Sequence, residues 1–311
     1  MDFRQLRYFV SVVDSGSFTA AAERLRIAQP SLSQHVIALE KELGVKLLER
    51  QSRGVRVTAS GAVFLEHAQI VLADLDRARD AVTATGADVA GRVVVGMPTT
   101  IAPLLAVPLL EACLKSLPSV KVHLVESHSG FLREWLDALR LDVALLFNVT
   151  DAAGLELTPL VAEELYLISA ARAAGKVRQV TLREVQKLDL IMAGRSHDLR
   201  NTLDSVAFAT SGALPVVKAE VDSLSTVKQM VLAGIGHTIL PRSAVHRELS
   251  DRSLVARSIV RPRIERYAAM ATIARRPKTR AQQAVSNLIL KLSGELIAGG
   301  DWMGRSTART I

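Results

Sequence analysis

Apolar residues recur at helical spacing through residue 43, at heptad spacing from 64 to 82, and in short β-rich runs beyond 91. Phe3, Leu6, Phe9, Val10 and Val13 form one stripe of a first helix; Gly16 ends it and Ser17 is placed to cap the next. Phe18, Ala21, Ala22 and Leu25 bury that second helix, and Pro30 stands near the start of a third, where its missing N–H costs little. Leu32, Val36, Leu39 and Leu43, spaced four, three and four apart, line one side of the third helix. Its other side presents Gln34, Ile37 and Lys41, with Ser33 at the edge. Two short helices around a tight turn, the second polar on its outward face, form the pattern of a DNA-reading helix-turn-helix. Glutamine can pair adenine bidentately, serine can serve base edge or phosphate, and lysine neutralises phosphate. Taken alone, the same face also reads as a solvated helix surface.

Leu47 to Arg50 and Val55 to Val57 then predict two short strands around Ser52-Arg53-Gly54, a β-hairpin wing with Arg50, Arg53 and Arg56 near its tip. Thr58 is suited to cap a helix, and no proline follows until Pro98. Phe64, Ala68, Val71, Leu75, Ala78 and Val82 alternate spacings of four and three, a heptad seam that calls for a partner helix. Packing of that seam against the same chain is the alternative. Gly86 to Gly91 reads as a hinge, and after it strands alternate with helices, which predicts an α/β domain. The strand candidates are 92–96, 120–125, 143–147, 165–168, 190–192, 216–221, 238–240 and 267–273, with helices at 131–139, 199–211 and 223–233.

Several stretches agree in order and separation with one family: Phe3-Arg4-Gln5-Leu6-Arg7-Tyr8-Phe9, Gly16-Ser17-Phe18-Thr19-Ala20-Ala21-Ala22, Gln29-Pro30-Ser31-Leu32-Ser33-Gln34 and Leu47-Leu48-Glu49-Arg50. Residues 1–58 resemble the winged helix-turn-helix of LysR-type transcriptional regulators. Ala28 stands where a capping serine is frequent, and Gln34 where arginine is frequent. The resemblance implies DNA-facing residues Ser17, Thr19, Gln29, Pro30, Ser31, Ser33, Gln34, Arg50 and Arg53. Gln29, Ser31, Ser33 and Gln34 would approach bases, and the two arginines phosphates. It also implies that 59–91 is a linker helix and hinge pairing two subunits through the seam. Residues 92–298 would form a two-lobed, periplasmic-binding-protein-like effector domain. Lobe I would comprise 92–161 and 269–298, lobe II 162–268, and 299–311 a loose tail.

A cleft between such lobes is the expected site of a small-molecule co-inducer, and helix N-termini facing it would favour an anion. Thr99 and Thr100, then Ser127, His128 and Ser129, then Ser196 and His197 each precede a predicted helix. Thr226 is a fourth contribution implied by the resemblance. Simple helix capping is the alternative for each hydroxyl. The stretch 127–148, with Asp222-Ser223-Leu224 and Thr238-Ile239-Leu240-Pro241, resembles the nitrogen assimilation control branch of the family, although His128 and His237 depart from it.

Composition changes this picture in two places. A net charge of +8 invites a nucleic-acid reading. Residues 1–60 nevertheless carry nine Lys/Arg against six Asp/Glu, whereas 171–311 carry twenty-three against eleven, so most of the excess lies away from the DNA reader. The single cysteine, Cys113, in an apolar helical stretch, rules out an intrachain disulfide within this sequence. No segment reads as a secretory signal or bilayer span, which predicts a cytoplasmic protein without a membrane partner. The seven histidines form no close pair at metal-ligand spacing, and neither a phosphate-cradling glycine loop nor a Gly-x-Ser-x-Gly turn is present. Glu163 and Glu164 are adjacent on an expected strand, where their side chains diverge.

The expectation is a non-enzymatic, sequence-specific regulator with no cofactor or metal, acting on promoter duplex DNA as a homodimer or homotetramer, with RNA polymerase as a further partner. Two alternatives are a two-lobed small-molecule-binding protein without regulatory role, and a protein that coats DNA without site preference.

Overall fold

The structure is a computed structural model describing residues 1–51, 54–83, 89–173, 178–195 and 197–307; the side chains of 80–83 and 173 also fall outside the description. The chain divides into two compact units, Met1–Thr85 and Gly86–Ile311.

In the first unit, α1 (Phe3–Ser15), α2 (Phe18–Leu25) and α3 (Gln29–Leu43) precede the hairpin β1 (Leu48–Gln51) and β2 (Gly54–Val57), and α4 (Ala59–Thr83) closes it. Asp2 and Gln5 form a capping box on α1, and the Ser17 hydroxyl accepts from the Ala20 N–H at 3.1 Å to start α2. Phe9, Val12, Ala21, Leu32, Val36 and Leu39 are buried together, so the apolar stripes read from the sequence meet in one core. Leu43 departs from that stripe and is 37 % exposed, because left-handed Gly44 ends α3 directly after it. At the start of α4 the Thr58 hydroxyl accepts from the Gly61 N–H at 2.9 Å and donates to the Lys46 carbonyl at 2.7 Å.

The second unit opens with β3 (Gly91–Pro98), α5 (Ala102–Ser116), β4 (Val120–Ser127), α6 (Ser129–Asp137), β5 (Val143–Phe147) and β6 (Leu155–Ala170). There follow β7 (Gln179–Thr181), α7 (Leu182–Val185), β8 (Leu190–Met192), α8 (Asp198–Ser211), β9 (Val217–Glu220), α9 (Leu224–Leu232) and β10 (Thr238–Pro241). The remainder is α10 (His246–Ser250), β11 (Leu254–Val260), β12 (Glu265–Ile273), α11 (Arg280–Gly299) and β13 (Arg305–Ser306). Strands pair in the order β4-β3-β5-β12-β6-β11-β7, with β10 and β13 also on β6, while β8 and β9 pair separately. β3 is parallel to β4 and β5, and β12 runs antiparallel to β5 and β6.

Two lobes follow from two cores. Val93, Val95, Leu105, Leu109, Leu145 and Ile289 pack in one, with Leu132 and Leu136 of α6 closing the opposite face of β5. All five residues of β5 are buried, as a strand covered on both faces requires. Leu165, Leu167, Ile191, Leu203, Val231 and Ile239 form the other core. β6 and β12 run from one core to the other and face each other from Leu155↔Ile273 to Glu164↔Glu265.

Two sequence expectations are corrected. β6 spans sixteen residues rather than the 165–168 read from its apolar run. Residues 299–307 are not loose: α11 ends at Gly299, Trp302 is fully buried, and β13 pairs with Val161 and Ala162. Leu132→Ala is expected to lower unfolding stability by about 2–5 kcal/mol, read as a shift of the urea midpoint of the second unit. An unshifted midpoint would remove Leu132 from the core that holds α6 on β5.

Candidate functional site

Two regions carry the predicted site residues, one in each unit. On α3, Ser31 and Gln34 are exposed beside Ile37, Ala38 and Lys41, while Leu32, Val36 and Leu39 face inward. Gln29 is half-buried, Pro30 is exposed, and Ala28 supplies no side-chain cap. Thr19 is exposed on α2, whereas Ser17 is engaged as that helix's cap.

Ser33 does not belong to the open face. It is buried, and its hydroxyl accepts from the Arg50 guanidinium, which also lies 4.8 Å over the Phe18 ring. Helix, wing and α2 therefore meet at one cation, and Ser33 orients Arg50. Arg56 pairs with Glu49 across the hairpin, and Arg53 lies outside the described residues. Glu40, which sequence reading passed over, is buried and accepts from the backbone N–H groups of Leu47 (2.9 Å) and Leu48 (3.1 Å) and from Lys46 Nζ (2.6 Å). Burial alone would raise its carboxyl pKa; the hydrogen bonds from Lys46 and the two amides outweigh that and hold it below the ordinary value. A carboxylate in a helical polar row gives no local sign that it will pin the following strand. The wing is further tied down at Gly54, where the Val55 N–H donates to the Gly16 carbonyl at 2.9 Å and a Cβ would lie 2.5 Å from that oxygen.

The heptad seam of α4 splits. Phe64 and Ala68 are corrected: both pack into their own unit's core, with the Phe64 ring 5.2 Å from Phe9. Val71 and Ala78 are exposed and Leu75 is half-buried, so these three remain available, while the Val82 side chain falls outside the description. Val63, off the seam, is 62 % exposed.

Between the lobes, β6 and β12 place Glu163 opposite Arg266, both almost wholly buried and ion-paired. Arg266 Nη2 donates to the Thr100 hydroxyl at 2.7 Å, and its guanidinium lies 3.6 Å over Phe147. The His128 ring, at the start of α6, is 4.2 Å from His197, at the start of α8. Asn148, with left-handed φ 47°, accepts from the Tyr267 N–H at 2.8 Å and donates to Thr202 Oγ1 at 2.8 Å, a second bond between lobes.

Thr99, Thr100 and His197 line one cavity of about 30 Å³, room for roughly one water. The other predicted ligand groups are elsewhere. The Ser129 hydroxyl accepts from the Phe147 N–H at 3.2 Å and lines a separate open groove of about 420 Å³ with Arg133, Asn148, Asp151 and Asn201. Ser127 is half-buried at the end of β4, exposed Thr226 donates to the Ser223 hydroxyl at 3.0 Å, and Ser196 lies outside the described residues. The anion expectation is also corrected for α8. The Leu199 N–H is already taken by His197 Nδ1 at 3.2 Å, and Asp198 places a carboxylate on the first turn.

Burial, reinforced by His128 and Arg266 and opposed by Asp198, pushes the His197 pKa down to about 4. Among the described residues no group of His, Cys, Asp and Glu is placed to hold a metal, and no helix is long and apolar enough to cross a membrane.

Residues 3–62 match the family of bacterial regulatory helix-turn-helix proteins, lysR family, and residues 86–293 match the LysR substrate binding domain. Nitrogen assimilation regulatory protein nac of Klebsiella aerogenes is 34 % identical over 293 residues, covering 94 % of this chain and 95 % of the relative. Full-length OxyR from Pseudomonas aeruginosa, solved as a point variant, is similar at 27 % identity and a TM-score of 0.70, with 94 % of each chain covered. Full-length CbnR complexed with its target DNA is similar at 26 % identity and a TM-score of 0.68, covering 94 % of this chain and 100 % of that one.

Because His197 binds its proton more weakly folded than unfolded, stability is expected to fall as pH drops from about 6.5 to about 4, and His197→Gln to flatten that slope. Equal slopes in wild type and variant between these pH values would show that another group governs the loss.

Proposed function

The chain belongs to the LysR family of bacterial transcriptional regulators, and from that premise we propose that two copies read paired half-sites in promoter DNA under control of the interlobe region. The carrying observation is the face of α3. Ser31, Gln34 and Lys41 stand exposed, while neighbouring Ser33, Arg50, Glu40 and Ser17 are engaged within the protein. A face left open beside polar groups that are engaged within the protein is suited to base edges and phosphates. The likeness to CbnR, solved with its target DNA, supports the same use here. Gln34 favours adenine at the position it reads.

The second copy pairs through Val71, Leu75 and Ala78 of α4, and two such pairs would make the homotetramer. Pairing sets two readers a helical turn or its multiple apart and raises the effective concentration of each for its half-site. Bound there, the protein helps or blocks RNA polymerase. Regulation by a small molecule in the cavity of about 30 Å³ requires the lobes to part, whereas the open groove of about 420 Å³ already sets Ser129 and Arg133 of one lobe beside Asp198 and Asn201 of the other. In that cavity the effector competes with the protein's own groups: Thr100 is bound by Arg266 and the start of α8 by His197. Cys113, this sequence's single cysteine, is buried, and burial raises its thiol pKa, which disfavours the reactive thiolate.

Footprinting on the DNA upstream of its own gene and genome-wide binding, both against competitor duplex, are expected to show paired protected half-sites. Protection without site preference across the genome would favour DNA coating. Gln34→Ala should weaken specific binding by about 1–3 kcal/mol and spare non-specific binding; equal loss of both would make Gln34 a phosphate or structural contact. Leu75→Glu should halve the mass seen by light scattering, and an unchanged mass would remove the α4 seam from the assembly.

A further inference from the structure

The family match ends at residue 293, yet the chain beyond it is built into the second unit. After α11, the Trp302 N–H bonds the Leu296 carbonyl at 3.0 Å, and the indole is fully buried with Nε1 donating to Glu163 Oε2 at 3.1 Å. Gly304 lies so close to β6 that a Cβ would be 2.4 Å from Val161 Cγ2 and 2.6 Å from the Ala162 carbonyl. β13 then pairs with Val161 and Ala162, and the Thr307 N–H donates to the Leu160 carbonyl at 3.1 Å. Every one of these contacts falls on β6 or on the end of α11, at the point where β6 leaves one lobe for the other.

Glu163 is the common member. One of its oxygens takes the indole of the C-terminal segment; the other takes Arg266 Nε. Arg266 in turn reaches Thr100, just ahead of α5 in the first lobe, and lies 3.8 Å from Asp198 on the first turn of α8 in the second. Arg266 Nη1 and both Asp198 oxygens have no hydrogen-bond partner, so this junction retains unspent polar capacity. A short path therefore runs from the C-terminal segment through one carboxylate to both lobes.

We propose that residues 300–307 are an intramolecular strap across the crossing strands, and that Trp302 is a positioning residue which, through Glu163, holds Arg266 between the lobes. Releasing the strap frees Glu163 to turn, and Arg266 loses its fixed place against Thr100 and Asp198. Whatever displaces the C-terminal segment thereby changes the interlobe region without entering it.

Hydrogen exchange of the full chain, read by mass spectrometry on peptides, tests the coupling. Trp302→Phe keeps most of the buried ring and removes the N–H; Gly304→Ala pushes the segment off β6 and so draws an unaltered Trp302 away from Glu163. Both variants are expected to speed exchange about tenfold over residues 100–105 and 198–203, the loss of one hydrogen bond to a buried charge. Residues 120–125 of β4 and the whole of α1 to α3 should keep the wild-type rate. Acceleration confined to 296–307 would overturn the coupling and leave the segment as passive packing. Acceleration spread uniformly over the second unit, residues 120–125 included, would overturn it in favour of a general core role.

Discussion

The buried pair of Glu163 and Arg266 governs how the second unit is put together. A charge taken out of water is costly unless its partners replace the lost hydration, and a pair survives in a core only when its remaining lone pairs and N–H groups are also met. Glu163 is met by Arg266 and the Trp302 indole; Arg266 is met by Glu163, Thr100 and the face of Phe147, while its Nη1 has only the longer ion pair to Asp198 at 3.8 Å. Since the two are direct cross-strand partners, the pair also sets the register of β6 on β12 at the crossover. A slip of one residue would turn a charge toward the opposite face of the strand and leave the other unpaired.

The first unit uses buried charge in the same way on a smaller scale. Glu40 gathers Lys46 and two backbone amides and so fixes the turn from α3 into the wing. Arg50 joins Ser33 to the ring of Phe18. These internal engagements hold the backbone of α3 and β1 rigidly, which is what lets the exposed Gln34 and Ser31 be offered in a defined geometry.

Likeness to nac, OxyR and CbnR extends over nearly the full chain, and between the lobes this chain turns its polar groups on one another. Hydroxyls that would suit an anionic effector are turned to internal partners, and the start of α8 is occupied by a histidine ring and a carboxylate. The two histidines singled out in the sequence both lie at contacts: His128 against His197, and His237 Nδ1 2.8 Å from the Ser169 hydroxyl. A small molecule entering between the lobes would therefore meet Arg266, Asp198 and the histidine pair rather than free hydroxyls.

Periodicity made the helix-turn-helix legible: Leu32, Val36 and Leu39 form a stripe whose burial needs only the local geometry of a helix. The wing, the cap at Thr58 and the fully apolar strand β5 were legible for the same reason, each being encoded within a few adjacent residues. What sequence could not show was which side of a locally sound element meets which partner. Phe64 and Ala68 lie on a correct heptad stripe but are taken up by Phe9 and its neighbours. The first part of β6 was hidden because Glu156, Pro159, Glu163 and Glu164 interrupt its apolar run, and the segment after α11 was hidden because its anchors are few and spaced irregularly. By itself the sequence determined the helices, the wing and the alternation of strands and helices, since these rest on contacts between near neighbours. Tertiary structure alone decided the fate of Ser33, Glu40, Glu163, Arg266 and Trp302, because a buried polar group is stable only beside a partner, and those partners come from other elements of the fold.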